Sequence, residues 1–322
     1  MMATSSGDSD SGGRVLSIQS HVVQGYVGNK SAVFPMQLLG VEVDIINSVH
    51  FSNHTGYPSF GGKHLRLSGD DVLDLLDGLQ QNDLLRNAYT HLLTGYIGSP
   101  ALLQAIVKVH ARLRAAQETR RLLYVCDPVM GDNGRLYVAP ELVDMYRDQV
   151  VPIADVLTPN QFECELLTEM KIETIADALA ACKKLHARGP QVVVISSFQE
   201  LKDGVKVHAE ELIVIGSKRC SPTSDSLEQF ELRVPYIDSY YTGTGDLFAA
   251  LLLAWLHRLP DDFQRVLENV VSTIQAVLRT TLQLGGRNCE LKLIQSRHLI
   301  ADPKPSIPAR RLSDDSTTRT RE

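Results

Sequence analysis

The chain has 322 residues, a hydrophobic fraction of 43%, a formal net charge of -6 and a pI near 5.9. That is enough apolar chain for a large α/β domain, and the acidic balance argues against a nucleic-acid partner. No apolar run reaches the ~20 residues that cross a bilayer, so no membrane partner is expected.

The first residues, "MMATSSGDSDSGG", are polar and lack the apolar stretch of a secretory signal, so 1–13 reads as a disordered lead on a cytoplasmic protein. Five cysteines stand singly, which fits free thiols in a reducing compartment. From residue 14 short apolar strands alternate with helical stretches. Strands are expected at 14–19, 42–48, 89–95, 121–127, 154–158 and 191–197. Helices are expected at 28–39, 69–80, 100–116, 159–168 and 174–187. "RLLYVCD" and "QVVVISS" are continuous apolar runs, the mark of strands buried on both faces. The rhythm then changes. "VKVHA", "ELIVIGS" and "FELRVP" follow one another without a long helix and suggest antiparallel pairs at one sheet edge. Helices are expected again at 244–258, 262–282 and 289–299. No linker divides 14–303, and 304–322 reads as a solvated, disordered tail. The pattern implies an α/β fold, a mostly parallel sheet with helices on both faces and antiparallel edge strands. Ligands of such folds bind at the carboxyl ends of the strands.

Several motifs fall at that edge. "GYVGNKS" (25–31) is not a P-loop, because Asn29 rather than glycine precedes Lys30. Ser20 and His21 follow the first strand, and Thr55 and Tyr57 follow the second. Each has a plain structural reading, yet two polar clusters at one edge suit a ligand equally well. His50 and His54 are spaced for a metal on a helix, but Gly56 and Pro58 argue for a loop. Asp127 closes a buried strand, with Asp132 just beyond it. A carboxylate there is costly without a positive partner, and Mg²⁺ is the natural one. The alternative is a turn aspartate before Pro128. In "TPNQFECE" the expected capping box joins Thr158 at the N-cap to Gln161, with Pro159 at the first helical position. Asn160 and Glu163 are then left on one helix face, where they suit the water shell of Mg²⁺.

"YYTGTGDLFAALLLAW" (240–255) poses the sharpest question. Glycines at the start of a buried helix make an anion cradle from backbone N–H groups, yet Asp246 stands in it. Asp246 is either a first-turn charge that complements the helix dipole or a base. As a base it would take the proton of an acceptor hydroxyl beside a phosphoryl group held by the cradle.

The G-T-G-D at a late buried helix resembles the ribokinase-like small-molecule kinases. "RVLSIQSHVVQGYVGNKSAVFPMQLLG", "FSNHTGY", "LLTGY", "YVCDPVMGD" and "VLTPNQFECELLT", in this order, resemble the pyridoxal kinases from about Arg14 to Pro303. The resemblance implies a single ribokinase-like domain and ATP-dependent phosphorylation of the 5′-hydroxyl of pyridoxal, pyridoxine and pyridoxamine. It implies Asp246 as base and Gly243, Thr244 and Gly245 as anion hole. Asp127, Asn160 and Glu163 fall around Mg²⁺ and the ATP phosphates, and Thr158, Ser196, Ser197 and Thr242 at further nucleotide positions. Ser20, Val27, Thr55 and Tyr96 fall at the vitamin ring, and Asp132 and Tyr137 in the lid region. A monovalent cation, K⁺, and a homodimer follow from the same resemblance. A hydroxymethylpyrimidine kinase is the nearest alternative. A non-catalytic vitamin-binding protein on the same fold is another, but it would be expected to have lost Asp246 or the metal shell.

Overall fold

The computed structural model describes residues 12–119, 121–202, 205–221, 225–287 and 289–312. The expected lead therefore lies, up to residue 11, outside the described residues. The chain runs β1 (Arg14–Val22), α1 (Asn29–Leu38), β2 (Glu42–Phe51), α2 (Gly69–Gln81), β3 (His91–Thr94), α3 (Pro100–Ala115) and β4 (Leu123–Cys126). A small hairpin, β5 (Gly131–Asp132) and β6 (Arg135–Leu136), precedes α4 (Glu141–Met145), which continues through a π turn and a 3-10 turn to Ile153. Then come β7 (Val156–Leu157), α5 (Gln161–Thr168), α6 (Ile175–His186) and β8 (Val192–Phe198). The last third holds β9 (Leu201–Lys202), β10 (Val205–Lys206), β11 (Glu211–Arg219), β12 (Leu227–Pro235), α7 (Thr244–Arg258), α8 (Phe263–Gly285), α9 (Arg297–Ala301) and β13 (Arg310–Arg311).

Nine strands form one sheet in the order β13-β12-β11-β8-β7-β4-β3-β1-β2. From β2 to β8 every pairing is parallel, and from β8 to β13 every pairing is antiparallel. Alternation along the strands sorts the side chains onto two faces. Leu16 and Ile18 point into one apolar cluster with α2, α3, α5 and α6. Val15, Leu93, Val125 and Val194 point into the other, with α1, α7 and α8. α7 is apolar nearly all round, and its residues from Leu247 to Leu256 are all buried. Its amino end is thereby fixed against the sheet.

Three expectations about the elements change. "VKVHA" supplies only β10, which pairs with β9 in a separate two-stranded ladder rather than with the main sheet. The helix expected over 289–299 is replaced by a short one displaced toward the carboxyl end, Arg297–Ala301, while Leu291 and Leu293 are buried in the apolar cluster under α7 and α8. The stretch 304–312, expected as tail, is packed. Ser272 Oγ accepts the backbone N–H groups of Ser306 and Ile307, and Glu268 accepts that of Ala309. Ile307 and Ala309 are buried, and β13 pairs with β12 while Arg310 meets Glu231 at 2.8 Å. β12 would otherwise end the sheet as a bare edge, and this segment covers it. The remainder of the expected tail, 313–322, lies outside the described residues.

Candidate active site

The carboxyl ends of β1, β3, β4, β7 and β8 converge on the amino ends of α1, α5 and α7. A cleft of about 420 Å³ opens on one side of this point, between the end of β8, the β5–β6 hairpin, the starts of α5 and α7, and β12 with α8. It brings together Asp132, Asn160, Ser196, Ser197, Thr244 and Gly245, all expected site residues. Its apolar wall is formed by Val234, Ile237, Val271, Ile274 and Leu278. Sequence reasoning missed that wall. β12 and α8 meet only in the fold, and aliphatic residues carry no chemical signal of their own.

At the head of the cleft α7 starts on Gly243, whose φ is 85° and which has no side-chain cap. A Cβ there would lie 1.9 Å from the Tyr26 carbonyl oxygen, so only glycine allows the turn at 25–28 to come this close. Ser31 Oγ donates to the Gly243 carbonyl at 2.9 Å. Asp246 Oδ2 accepts the Gly28 N–H at 2.8 Å, and Gly28, with φ 53°, is itself pressed against Ser20. Ser20, Val27 and Asp246 are thus joined through one short turn. Val27 packs on Val22, Val49 and Phe51. Tyr96 is half-buried after β3, and its carbonyl accepts the Ser48 hydroxyl at 3.4 Å. Thr55 is exposed, in the loop after β2. Tyr137 is also exposed. It follows the β5–β6 hairpin, and partial loss of solvent at its hydroxyl, together with neighbouring Tyr240 and Asp132, pushes that hydroxyl up to about 12. Thr242 precedes the cradle and does not line the cleft, and neither does Thr158.

Asp127 lies behind the cradle, with Oδ2 3.4 Å from the position of a Gly245 Cβ. It is buried and accepts the Thr158 hydroxyl at 3.3 Å. That bond replaces the expected capping box: Thr158 faces Asp127, while the Pro159 carbonyl still accepts the Ser196 N–H at 2.9 Å. Helix α5 therefore starts later, with Asn160 as N-cap and Glu163 completing the box. Asn160 Oδ1 accepts the Glu163 N–H at 2.9 Å, and Glu163 Oε2 accepts the Asn160 N–H at 3.0 Å. The same two side chains reach back to the β5 hairpin. Asn160 Nδ2 donates to the Gly131 carbonyl at 2.8 Å, and Glu163 Oε1 accepts from Met130 N at 2.9 Å and Gly131 N at 3.4 Å. Gln161, expected in the box, instead donates to the Ile172 carbonyl.

The electrostatics are one-sided. Burial pushes Glu163 up to about 8, against the pull of its backbone donors. Burial and the charges of Glu163 and Asp246 push Asp127 well above the usual carboxylate range. Burial raises Asp246 against the pull of the Gly28 N–H, and burial raises Asp132. Among the described residues no lysine, arginine or histidine pairs with any of the four. Two buried acids, Asp127 and Glu163, with the half-buried Asp132 and Asp246 beside them, repel one another and lack a cationic side chain, which suits a cation brought in from outside. Among the described residues no three carboxylate, histidine or cysteine side chains converge closely enough to hold a metal by themselves. The set therefore suits an ion that keeps its waters and takes ligands from phosphates.

His50 and His54 do not share a site. His50 stacks edge-on against His21, and His54 faces Glu290 at 3.1 Å. Asn29 is buried and bonded to Ser17, Ile46 and Asn47, so the sequence Asn29-Lys30-Ser31 serves the core. Among the described residues no helix is long and apolar enough to cross a membrane.

A family model described as phosphomethylpyrimidine kinase matches residues 90–291. The chain is 51% identical over 309 residues to a pyridoxal kinase of Arabidopsis thaliana, covering 94% of this chain and 95% of that one. It is 42% identical over 313 residues to the pyridoxal kinase of Homo sapiens, covering 92% and 97%. Among solved structures it superposes with a TM-score of 0.84 on a pyridoxal kinase from Leishmania donovani in complex with ADP and pyridoxamine. That structure is 35% identical, with 93% of this chain and 99% of that chain covered. The strand order, the G-T-G-D helix start and relatives matched almost end to end agree, and the chain belongs to the pyridoxal kinases of the ribokinase-like fold.

Proposed function

We propose that the protein transfers the γ-phosphoryl group of ATP to the 5′-hydroxyl of pyridoxal, and also of pyridoxine and pyridoxamine, with Asp246 as the base. The observation that carries this reading is the position of Asp246. Its Oδ2 is occupied by the Gly28 N–H, which leaves Oδ1 to take a proton beside an uncapped helix start. Burial raises its pKa toward the working range of a base. The hydroxyl oxygen bonds the γ-phosphorus as the bond to ADP breaks, and the hydroxyl proton passes to Asp246 Oδ1. The N–H groups at Gly243, Thr244 and Gly245 face the charge that gathers on the phosphoryl oxygens. The apolar wall of the cleft takes the adenine, and Ser196, Ser197, Thr158 and Thr242 serve the nucleotide side. Asp132 and Tyr137 sit where the β5–β6 hairpin can cover the phosphates. Ser20, Val27, Thr55 and Tyr96 form the ring side.

When bound, Mg²⁺ would neutralise phosphate charge, held through Asp127, while the oxygens of Asn160 and Glu163, which already accept N–H bonds, would use their remaining lone pairs toward its water shell. K⁺ is the expected second ion, and its contribution is read by replacing K⁺ with Na⁺ in the assay. A homodimer in the cytoplasm completes the reading. The hydroxymethylpyrimidine kinase reading is not favoured, since the relatives from Arabidopsis thaliana and Homo sapiens, each matched over more than nine-tenths of this chain, are pyridoxal kinases.

Asp246→Asn tests the mechanism, because it keeps the side-chain shape. The kcat for pyridoxal should fall about 10²–10⁴-fold, the range for loss of a general base. The KM for ATP should change little, so kcat and kcat/KM fall together. A variant with near-normal kcat would return Asp246 to a dipole-complementing role.

A further inference from the structure

We propose that Glu290 is a positioning residue for the vitamin-ring side, latching the loop after β2 to the turn before α1 and so setting where Thr55 and Val27 stand. The proposal rests on the ring-side reading given above. Glu290 lies in the stretch between α8 and α9. The next residue, Leu291, and Leu293 are fully buried in the cluster under α7 and α8, so Glu290 is mounted on the core. Its carboxylate, 11% exposed, reaches two separate segments. Oε2 accepts the backbone N–H of Tyr26 at 2.9 Å. Oε1 accepts the hydroxyl of Tyr57 at 3.1 Å and faces His54 Nε2, also at 3.1 Å.

Those partners bracket the two ring-side residues. Thr55 stands between His54 and Tyr57, and Val27 follows Tyr26 directly. The turn from 25 to 28 is held at one end by Glu290 and at the other by the bond from Gly28 N to Asp246. Gly25, with φ 95°, makes room for the latch, since a Cβ there would fall 2.5 Å from the Glu290 carboxylate. An exposed ion pair would contribute little. A mostly buried carboxylate that satisfies a backbone donor and a tyrosine hydroxyl at once is a fixed joint. Its removal frees the loop at 52–57 without touching the apolar wall of the nucleotide cleft.

The experiment measures steady-state kinetics and melting for Glu290→Ala, Glu290→Gln, Tyr57→Phe, the double variant Glu290→Ala/Tyr57→Phe, Ser20→Ala and Thr55→Ala. Glu290→Ala should raise the KM for pyridoxal about 10-fold or more, the scale of lost charge-assisted bonds. The KM for ATP should stay within about twofold. Glu290→Gln, which keeps an acceptor and the side-chain shape, should recover most of the loss. Tyr57→Phe should raise the pyridoxal KM by a smaller factor, and should add nothing in the Glu290→Ala background. Should Glu290→Ala fail to fold, Glu290→Gln and Tyr57→Phe still carry the test. Equal rises in both KM values, or additive effects of Glu290→Ala and Tyr57→Phe, would make Glu290 merely structural and overturn the proposal. If Ser20→Ala and Thr55→Ala raise the pyridoxal KM while Glu290→Ala does not, the latch alone is wrong. If neither of those two changes it, the ring-side reading falls and the latch with it.

Discussion

Of the three helices that begin at the site, α5 and α7 both carry an acid three positions into the helix, yet they use it in opposite ways. In α5 the acid folds back. Glu163 accepts the N–H of its own N-cap, Asn160, which in turn accepts the Glu163 N–H. In α7 the N-cap is Gly243, no side chain caps the helix, and Asp246 turns away to the Gly28 N–H of a different helix. α1, which starts on Gly28, is likewise without a side-chain cap. By contrast α2, α3, α6 and α8 are capped by Ser68, Ser99, Thr174 and Asp262. A capped start is a finished structural joint, whereas an uncapped, glycine-led start leaves its N–H groups to a ligand. The difference teaches that α5 closes its own start and ties it to the β5 hairpin, whereas α7 leaves its start open, the part the proposed mechanism assigns to chemistry.

Gly243→Ala is the sharpest way to break that contrast. It forces a Cβ to within 1.9 Å of the Tyr26 carbonyl oxygen at a φ of 85°. The turn at 25–28 must shift, and with it the Gly28 N–H that orients Asp246. The kcat/KM for pyridoxal should fall about 10²-fold or more, as expected when preorganised donors are displaced. Circular dichroism should still show a folded chain. Near-normal kinetics would mean that the cradle is not the phosphoryl site.

Asn160→Ala and Asn160→Ser sharpen the other half. Loss of the cap should cost about 1 kcal/mol of stability, and serine, which also caps, should restore most of it. The rate effect of alanine should be smaller than that of Gly243→Ala. If Asn160 only caps α5, serine restores melting and the KM for ATP together. If Asn160 also serves the water shell of Mg²⁺, serine restores melting while the KM for ATP measured against Mg²⁺ concentration stays raised.

How much of this was legible in the sequence follows the same line. The strands of the sheet core were legible because buried parallel strands write continuous apolar runs, as in "VVVIS" of β8. The α7 start was legible because glycine, glycine and aspartate sit within four residues. The α5 cap was misplaced by two residues. Thr158 is a competent cap with proline after it, only somewhat weaker than Asn160, and the buried Asp127, 31 residues away, takes its hydroxyl. Glu290 and the apolar wall at Val234 and Ile274 were not legible, because each acts across the fold on partners far along the chain. The stretch 304–312 was misread for a related reason. Its few apolar residues look too sparse to pack, and its main-chain pairing to β12 leaves no side-chain signal.

The smallest expected effect concerns the price of placing so many acids together, and it is read in stability rather than rate. In the folded protein burial raises Asp127, Glu163 and Asp246. For Glu163 the rise is from 4.5 to about 8. Over that window the native state holds more protons than the unfolded chain, so stability contributed by these groups is lost as pH rises. The imidazoles of half-buried His21 and buried His110 and His186 are shifted down, chiefly by loss of solvent, and they act in the opposite sense. A single melting curve would therefore mix the two. Asp127→Asn separates them, because it removes one titrating acid and its repulsion of Glu163 and Asp246 while asparagine still accepts the Thr158 hydroxyl. The difference in Tm between Asp127→Asn and the parent should be small near pH 5 and should grow in favour of the variant toward pH 8. Adding Mg²⁺ with ADP should stabilise the parent more than the variant, because the variant has lost a carboxylate offered to the cation. The variant should turn over more slowly even where it is the more stable protein. A Tm difference that stays flat from pH 5 to pH 8 would mean that the acids of the capped and the uncapped helix starts do not feel one another through Asp127.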